Sequence, residues 1–588
     1  MKQFHYSPNQ KFSSLPVLEE NDSEALQNEN EEYPEFNDLP NLNEKTKLAI
    51  SDMELKKMTE IQYKTFGAAS NGQDVLGRAR TGTGKTLAFL LPTIEKISRE
   101  KNSHAKRNRN VNSSISAIII SPTRELATQI GEEAYALLKY NRNISVQIMF
   151  GGVKKHLDLK RLNRRLPSIL VATPGRLKDH LQSTYVHDIP FSDIICQEDQ
   201  QQILILDETD RLLDMGFKDD INEIISYLPP KSQRQTLLFS ATMPSDLRKV
   251  MKNTMNENHV VVDCIRDQDP ATHTSTKVDQ YYVVLPSMER YVSGLVEIMY
   301  KAIQEDPANH KIIVFFPTAM MVKYFSHLFN HEMNHPVFEI HAKKTQNIRT
   351  KVSKQFKQKK SGILFTTDVS ARGVDYPDVT HVIQFGLPEN RETYIHRLGR
   401  TGRAGKNGKG WLVLAPFETS FLQKLKDMDV TTDTNLKEML DQPVHPNISS
   451  VLDPIISDSR DNNFIGDLGS AATKAYQSMI GFYASKIPIL GKNFSKADLI
   501  RYANEFSFYS GLDDPPELNG NLMQKLGFKN VPGLRINQNS FVDKENSNRN
   551  YQSSFNGRKS RSRYNDRKAS DKYGKRHSRG NRDKLNEW

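Results

Sequence analysis

Cysteine is almost absent from the 588 residues: there are two, Cys196 and Cys264. Two thiols exclude a disulfide framework and a four-cysteine zinc site, and they suit a reducing compartment. Long apolar runs are missing as well; nothing approaches the roughly 20 residues needed to cross a bilayer. No secretory h-region opens the chain. No arginine precedes Arg78, and the stretch from Glu19 to Glu35 is acidic, which argues against an arginine-rich transit peptide. An intracellular site is expected, with import into an organelle left open. Hydrophobic residues make up only 37% of the chain. That is low for an entirely packed protein of this length, so several cores should be joined to unfolded stretches. The net charge of +11 suits an acidic partner.

What the chain does contain is an alternation of short apolar runs with helical stretches. Residues 1–33 read as a polar, acidic arm without periodicity. Over 34–265, the runs Ser116–Pro122, Ser168–Pro174, Ile203–Asp207 and Thr236–Thr242 are nearly continuous in Val, Ile, Leu and Phe. Such strands are buried on both faces, as in a parallel sheet covered by helices. Residues 266–278 break the pattern as a linker. The alternation resumes over 279–428 with Lys311–Thr318, Ser361–Val369 and Thr380–Pro388. Residues 429–536 read as a mostly helical extension and 537–588 as a disordered basic tail. The expected fold class is α/β, with two tandem parallel-sheet units.

Two motifs carry chemistry. Ala79-Arg80-Thr81-Gly82-Thr83-Gly84-Lys85-Thr86 stands before a helical stretch. Its glycines let successive N–H groups converge on a phosphate, and the helix N-terminus adds its dipole. Lys85 supplies charge for the β- and γ-phosphates and Thr86 a hydroxyl for Mg²⁺. Ala79 stands where the strict P-loop pattern has glycine. The second motif is Asp207-Glu208-Thr209-Asp210, acids that end an apolar strand. Alone they would suit a solvated turn. Downstream of a phosphate loop, Asp207 can hold Mg²⁺, directly or through water, and Glu208 can orient and deprotonate an attacking water. ATP and Mg²⁺ are the expected cofactors.

These motifs occur in a recognisable order with Pro122–Ala127 (PTRELA), Gly151-Gly152, Thr173–Arg176 (TPGR), Ser240–Thr242 (SAT), Thr366–Asp375 and His396–Arg403 (HRLGRTGR). Over residues 36–420 the chain resembles the DEAD-box RNA helicases. The resemblance implies two RecA-like domains that close over ATP on one side and bend single-stranded RNA on the other. It implies that Gln62 reads adenine, with Phe36 as the upstream aromatic; here the spacing is one residue long, and Glu54 and Met58 replace the usual Gly and Pro. Arg400 and Arg403 would be arginine fingers on the γ-phosphate, Asp375 the ribose acid, and Ser240 and Thr242 the pair coupling hydrolysis to domain movement. RNA contacts would fall to Arg124, Gly152, Thr173 and Arg176 in the first domain and to Gln346, Arg349 and Thr366 in the second. Such contacts would bind RNA single strands and short duplexes with little sequence preference, and the chain is expected to be a monomer. Thr209 replaces the alanine of DEAD, and Ala342, after His341, a common glycine. The stretches Lys474–Lys486 and Leu522–Ile536 resemble the C-terminal extension of fungal mitochondrial splicing helicases and their nucleolar cousins; a separate partner-binding helical module is the competing view.

The activity implied is RNA-stimulated ATP hydrolysis coupled to local, non-processive remodelling of RNA duplexes. An RNA clamp and a processive DNA helicase are the other readings; Lys85, Glu208, Arg400 and Arg403 together favour the enzyme. From Tyr551 onward, twelve basic residues stand against four acids. Tyrosines and Phe555 are interspersed, which suits an RNA tether. A solubilising tail or an import signal remains the other explanation.

Overall fold

The computed structural model describes residues 33–39, 42–80, 82–105, 114–196, 202–265, 278–370, 374–403, 406–461, 467–528 and 530–537. The expectations for Thr81, for the arm before residue 33, for the linker before Val278 and for the tail beyond residue 537 lie outside these residues.

The first domain is built on β1 (Val75–Arg78), β2 (Ala117–Ile120), β3 (Val146–Met149), β4 (Ile169–Ala172), β7 (Ile203–Leu206), β8 (Gln235–Ser240) and β9 (Val260–Asp263). A small hairpin, β5 (Tyr185–Val186) with β6 (Ile189–Pro190), interrupts the series. The seven strands pair in parallel in the order β3-β4-β2-β7-β8-β1-β9. Parallel neighbours cannot be joined by tight turns, so helices cross over both faces. The side-chain alternation of β2 shows the two layers: Ala117 and Ile119 join one core with Phe89 and Ile130, whereas Ile118 and Ile120 join the other with Leu177 and Leu181. All four are fully buried, hence the unbroken apolar run.

The second domain repeats this plan. Its strands are β10 (Val278–Val284), β11 (Lys311–Phe315), β12 (Phe338–Ile340), β13 (Gly362–Thr366), β14 (His381–Phe385), β15 (Gly408–Leu414) and β16 (Thr431–Thr432), again parallel, in the order β12-β13-β11-β14-β15-β10-β16. Position for position, this is the strand order of the first sheet. The edge strand β16 lies past residue 428, so the sheet reaches into the segment read from sequence as the extension.

Beyond it come helices Pro446–Asp461, Asp467–Ala484 and Lys496–Tyr509. They pack on the second domain: Ser478 bonds Thr318 through hydroxyls 2.7 Å apart, and Tyr324 donates to the Ser510 carbonyl. The carboxylate of Glu418 is fully buried where it accepts from the Leu387 and Ala415 N–H groups and from the Tyr483 hydroxyl. Residues 517–528 and 535–537 belong to a separate unit with a two-stranded parallel sheet, Leu518–Asn519 with Ile536–Asn537, and a short helix, Gly520–Lys525.

Candidate active site and nucleic-acid interface

The phosphate loop joins β1 to the helix Lys85–Ala105. Gly82 and Gly84 adopt φ of +81° and +84°, a region that other residues enter only with strain. Gly84 is also required by contact: a Cβ there would lie 2.3 Å from Nε2 of Gln62. Gln62, on helix Glu60–Ser70, accepts from the Thr59 N–H through Oε1 and donates from Nε2 to the Gly84 carbonyl. Lys85 donates to the carbonyls of Ala79 and Arg80 at 2.6 and 2.8 Å, and the Thr83 hydroxyl also donates to Arg80. Ala79 is completely buried and its N–H bonds Ser240 of β8, so this position closes the strand rather than curling around a ligand.

Asp207 follows β7 and accepts from the Glu208 N–H at 2.9 Å. Glu208 sits in left-handed backbone (φ 47°, ψ 52°) at the start of helix Thr209–Asp214. A non-glycine residue held there stores strain, which is common where a side chain must be aimed at a reacting group. Burial, and then the Glu208 charge, push the Asp207 carboxyl up. Burial pushes the Lys85 ammonium down against the opposing pull of Asp207, Glu208 and Asp210. The hydroxyl of Thr209 is satisfied by the Leu206 and Phe239 carbonyls, so the extra oxygen ties β7 to β8.

Asp210 carries the connection onward. It accepts from the Thr242 hydroxyl at 3.0 Å and lies 3.2 Å from Nε2 of His396, a residue of the second domain. Ser240 in turn donates to the Thr242 carbonyl. His396 stands on the helix Arg391–Leu398, and the turn after it delivers both arginines. Arg400 is buried, with its guanidinium on the Val374 and His396 carbonyls; burial and the neighbouring Arg403 hold it well below the usual range. Arg403 pairs with Asp375 at 2.6 Å and crosses Gly82, lying about 3.5 Å from where a Cβ would stand on that glycine. Burial alone would raise the Asp375 carboxyl, but Arg403 holds it below its ordinary value. Gln62, Gly82, Thr83, Gly84, Lys85, Thr86, Asp207, Glu208, Asp375, Arg400 and Arg403 thus line one cleft of about 530 Å³. That is a volume suited to a nucleotide. Arg80 lies in the loop behind it.

Phe36 is not at this wall. Its ring is buried in the first-domain core, and its N–H bonds Lys56, which places it one layer behind the cleft. Met53 and Leu55 form the apolar wall instead.

Arg124 and Gly152 meet: a Cβ on Gly152 would strike the Arg124 guanidinium at 2.2 Å. Thr173 starts the helix Pro174–Ser183 beside that loop, with its N–H on the Met149 carbonyl. Five of the seven expected contacts, Thr173, Arg176, Gln346, Arg349 and Thr366, are buried. Arg176 is buried between Asp158 and the Val153 carbonyl, where it braces the Gly152 loop. Thr366, at the end of β13, is fully buried and donates to the Ile340 carbonyl. Gln346 and Arg349 both reach across the domains to Oε1 of Glu125, at 3.0 and 2.6 Å. Oε1 of Gln346 and Nε of Arg349 are buried with no partner among the described residues. Ala342 is exposed and has no positive φ, so alanine costs its loop nothing.

Sequence reasoning assigned no role to Glu125, Gln129, Glu133, Asp210 or His396. Gln129 accepts from the Asp375 N–H at 3.0 Å and donates to Glu133 at 2.8 Å. Burial pushes Glu133 up to about 7, against the bond from Gln129. The signal was there: Glu125, Gln129 and Glu133 stand four apart on helix Arg124–Leu137, one polar stripe on a helix that otherwise needs an apolar face.

Comparison with known proteins identifies the family. Residues 59–250 match the family model of the DEAD/DEAH box helicases, and residues 294–405 match the helicase conserved C-terminal domain. DEAD-box ATP-dependent RNA helicase 26 of Oryza sativa subsp. japonica is 44% identical over 491 residues, which cover 83% of each chain. DEAD-box ATP-dependent RNA helicase 25 of Arabidopsis thaliana is 41% identical over 518 residues, covering 88% of this chain and 85% of the relative. Among solved structures, Mss116p bound to single-stranded RNA and AMP-PNP superposes with a TM-score of 0.69 at 29% identity, covering 84% of this chain and 95% of that one.

Proposed function

The chain belongs to the DEAD-box family of ATP-dependent RNA helicases, and from that premise we propose that its cleft hydrolyses ATP only when RNA holds the two domains together. The observation that carries this reading is the crossing of Arg403 over Gly82, beside the His396–Asp210 contact. The transition-state charge donor belongs to one domain and the phosphate loop to the other, so closure completes the site.

In this reading Lys85 and the loop N–H groups grip the phosphates, and Gln62 meets the adenine edge. Thr86 and Asp207 would hold Mg²⁺, which supplies neutralising charge to the phosphates; a hydroxyl, a carboxylate and phosphate oxygens suit that ion. Glu208 orients the attacking water and takes its proton. The unpartnered Nε of Arg349 and the exposed loop of Gly152 favour phosphate contact on the opposite side, which would keep sequence preference low. Separation of a short duplex follows from binding one strand in a bent path. The test is phosphate release by the purified chain with and without single-stranded RNA, and with Glu208→Gln as control. Release that ignores RNA, or that survives Glu208→Gln at the wild-type rate, refutes the reading.

A further inference from the structure

The helix Lys155–Arg164, which leads away from Gly152, has one face with no work inside the fold. Lys155, Asp158, Leu159 and Leu162 turn inward, with Asp158 neutralised by Arg176 and Lys155 by Asp179. The opposite ridge carries Lys160, Arg161 and Arg164, all exposed, with Lys154 at its start. None of these four makes an ion pair among the described residues. The only acid of the helix is the buried Asp158.

The hairpin β5–β6 stands at the far end of this ridge. The Asn163 side chain accepts from the His187 N–H at 3.2 Å and pins the hairpin tip to the last turn of the helix. His187 and Asp188 both have positive φ, the geometry of a tight two-residue hairpin turn. Tyr185 beside it is 62% exposed, more than any other large apolar side chain of the described residues. An unpaired cationic ridge that ends at an exposed aromatic ring matches a nucleic-acid strand better than it matches solvent. Asp188 is the one exposed acid at the tip, too little to neutralise the ridge.

We infer that this helix and hairpin form an outer RNA path, which takes the phosphates of a strand continuing beyond Gly152 and stacks one of its bases on Tyr185. The inference rests on the proposed function. Continuity favours RNA over an acidic protein: the helix begins shortly after Gly152, and the Asp158–Arg176 pair fixes it to the helix that Thr173 begins. The spacing of the ridge is that of a backbone track, about 15 Å from Lys154 to Arg164 at helical rise.

The test uses the full chain, a non-hydrolysable ATP analogue and two oligouridylates, one filling only the core path and one extending well past it. The triple variant Lys160→Gln, Arg161→Gln, Arg164→Gln and the single variant Tyr185→Ala alter exposed side chains only. For the long RNA, the triple variant should flatten the slope of log affinity against log salt by about 2, because each phosphate left without its cation takes roughly 0.7 from that slope. Tyr185→Ala should weaken long RNA roughly tenfold. Affinity for the short RNA and its stimulation of ATP hydrolysis should stay at wild-type values. An unchanged slope, or equal losses with both RNAs, overturns the outer path even while the wild-type chain is stimulated by short RNA. Absence of that stimulation in the wild type would instead overturn the functional reading and this surface with it.

Discussion

Glu125 is the residue whose change should separate closure from folding. One carboxylate oxygen takes bonds from Gln346 and Arg349, and both arms of the Arg349–Glu125 pair are buried. Burial lowers the Arg349 guanidinium, with Glu125 as the charge that opposes it. Removing one partner of such a pair costs about 3–5 kcal/mol, because the other charge is left buried. The cost here falls on the closed arrangement alone, since water solvates Arg349 once the domains part. Glu125→Gln should therefore lower the closed population by roughly two to four decades. RNA affinity in the presence of a non-hydrolysable ATP analogue should fall by a similar factor, while affinity without nucleotide and the melting temperature stay close to wild type. Tight nucleotide-dependent binding, within about threefold of wild type, would show that Glu125 is not a closing contact. A lower melting temperature would show that its work lies within the first domain.

Lys85→Ala should weaken ATP binding, whereas Glu208→Gln should keep ATP bound and trap a closed complex on RNA; nucleotide binding and turnover measured side by side distinguish them. Arg403→Ala should spare ATP binding and remove most RNA-stimulated turnover, on the order of 10³-fold or more for a finger arginine, and a loss below about threefold would place it away from the γ-phosphate. Burial pushes Glu418 up to about 7, above the ordinary carboxyl value of 4.5. Between those values the folded chain keeps a proton that the unfolded chain has lost, so this group makes stability fall as pH rises through the window. Melting temperature against pH should show that slope in the wild type and lose it in Glu418→Gln.

The strands legible in the sequence were those at the centre of each sheet: β4, β2, β7 and β8 in the first, β13, β11 and β14 in the second. Burial on both faces makes such strands continuous apolar runs. Outer strands were silent, because β9 exposes Val261 and Asp263, β12 is only half buried, and β16 has two threonines. Interior β1 was silent for another reason. It is four residues long and includes Gly77, where a Cβ would lie 2.5 Å from the Phe239 ring. The site was legible where one motif holds its own chemistry, as in Lys85 or Glu208. It was not where two distant motifs divide the work: Asp210 with His396, or Glu125 with Arg349, are separated by 186 residues or more in the chain. No spacing rule spans such a distance.

Gln62 and the phosphate loop share one bond, from the carboxamide to the Gly84 carbonyl. With Gln62 on the adenine edge, as proposed, the base end and the phosphate end of a nucleotide would be sensed by a single mechanical linkage. A purine that offers the wrong edge would then leave this carboxamide on the Gly84 carbonyl. A wrong base should then be punished in turnover more than in affinity, so that the chain can hold an unsuitable nucleotide without firing.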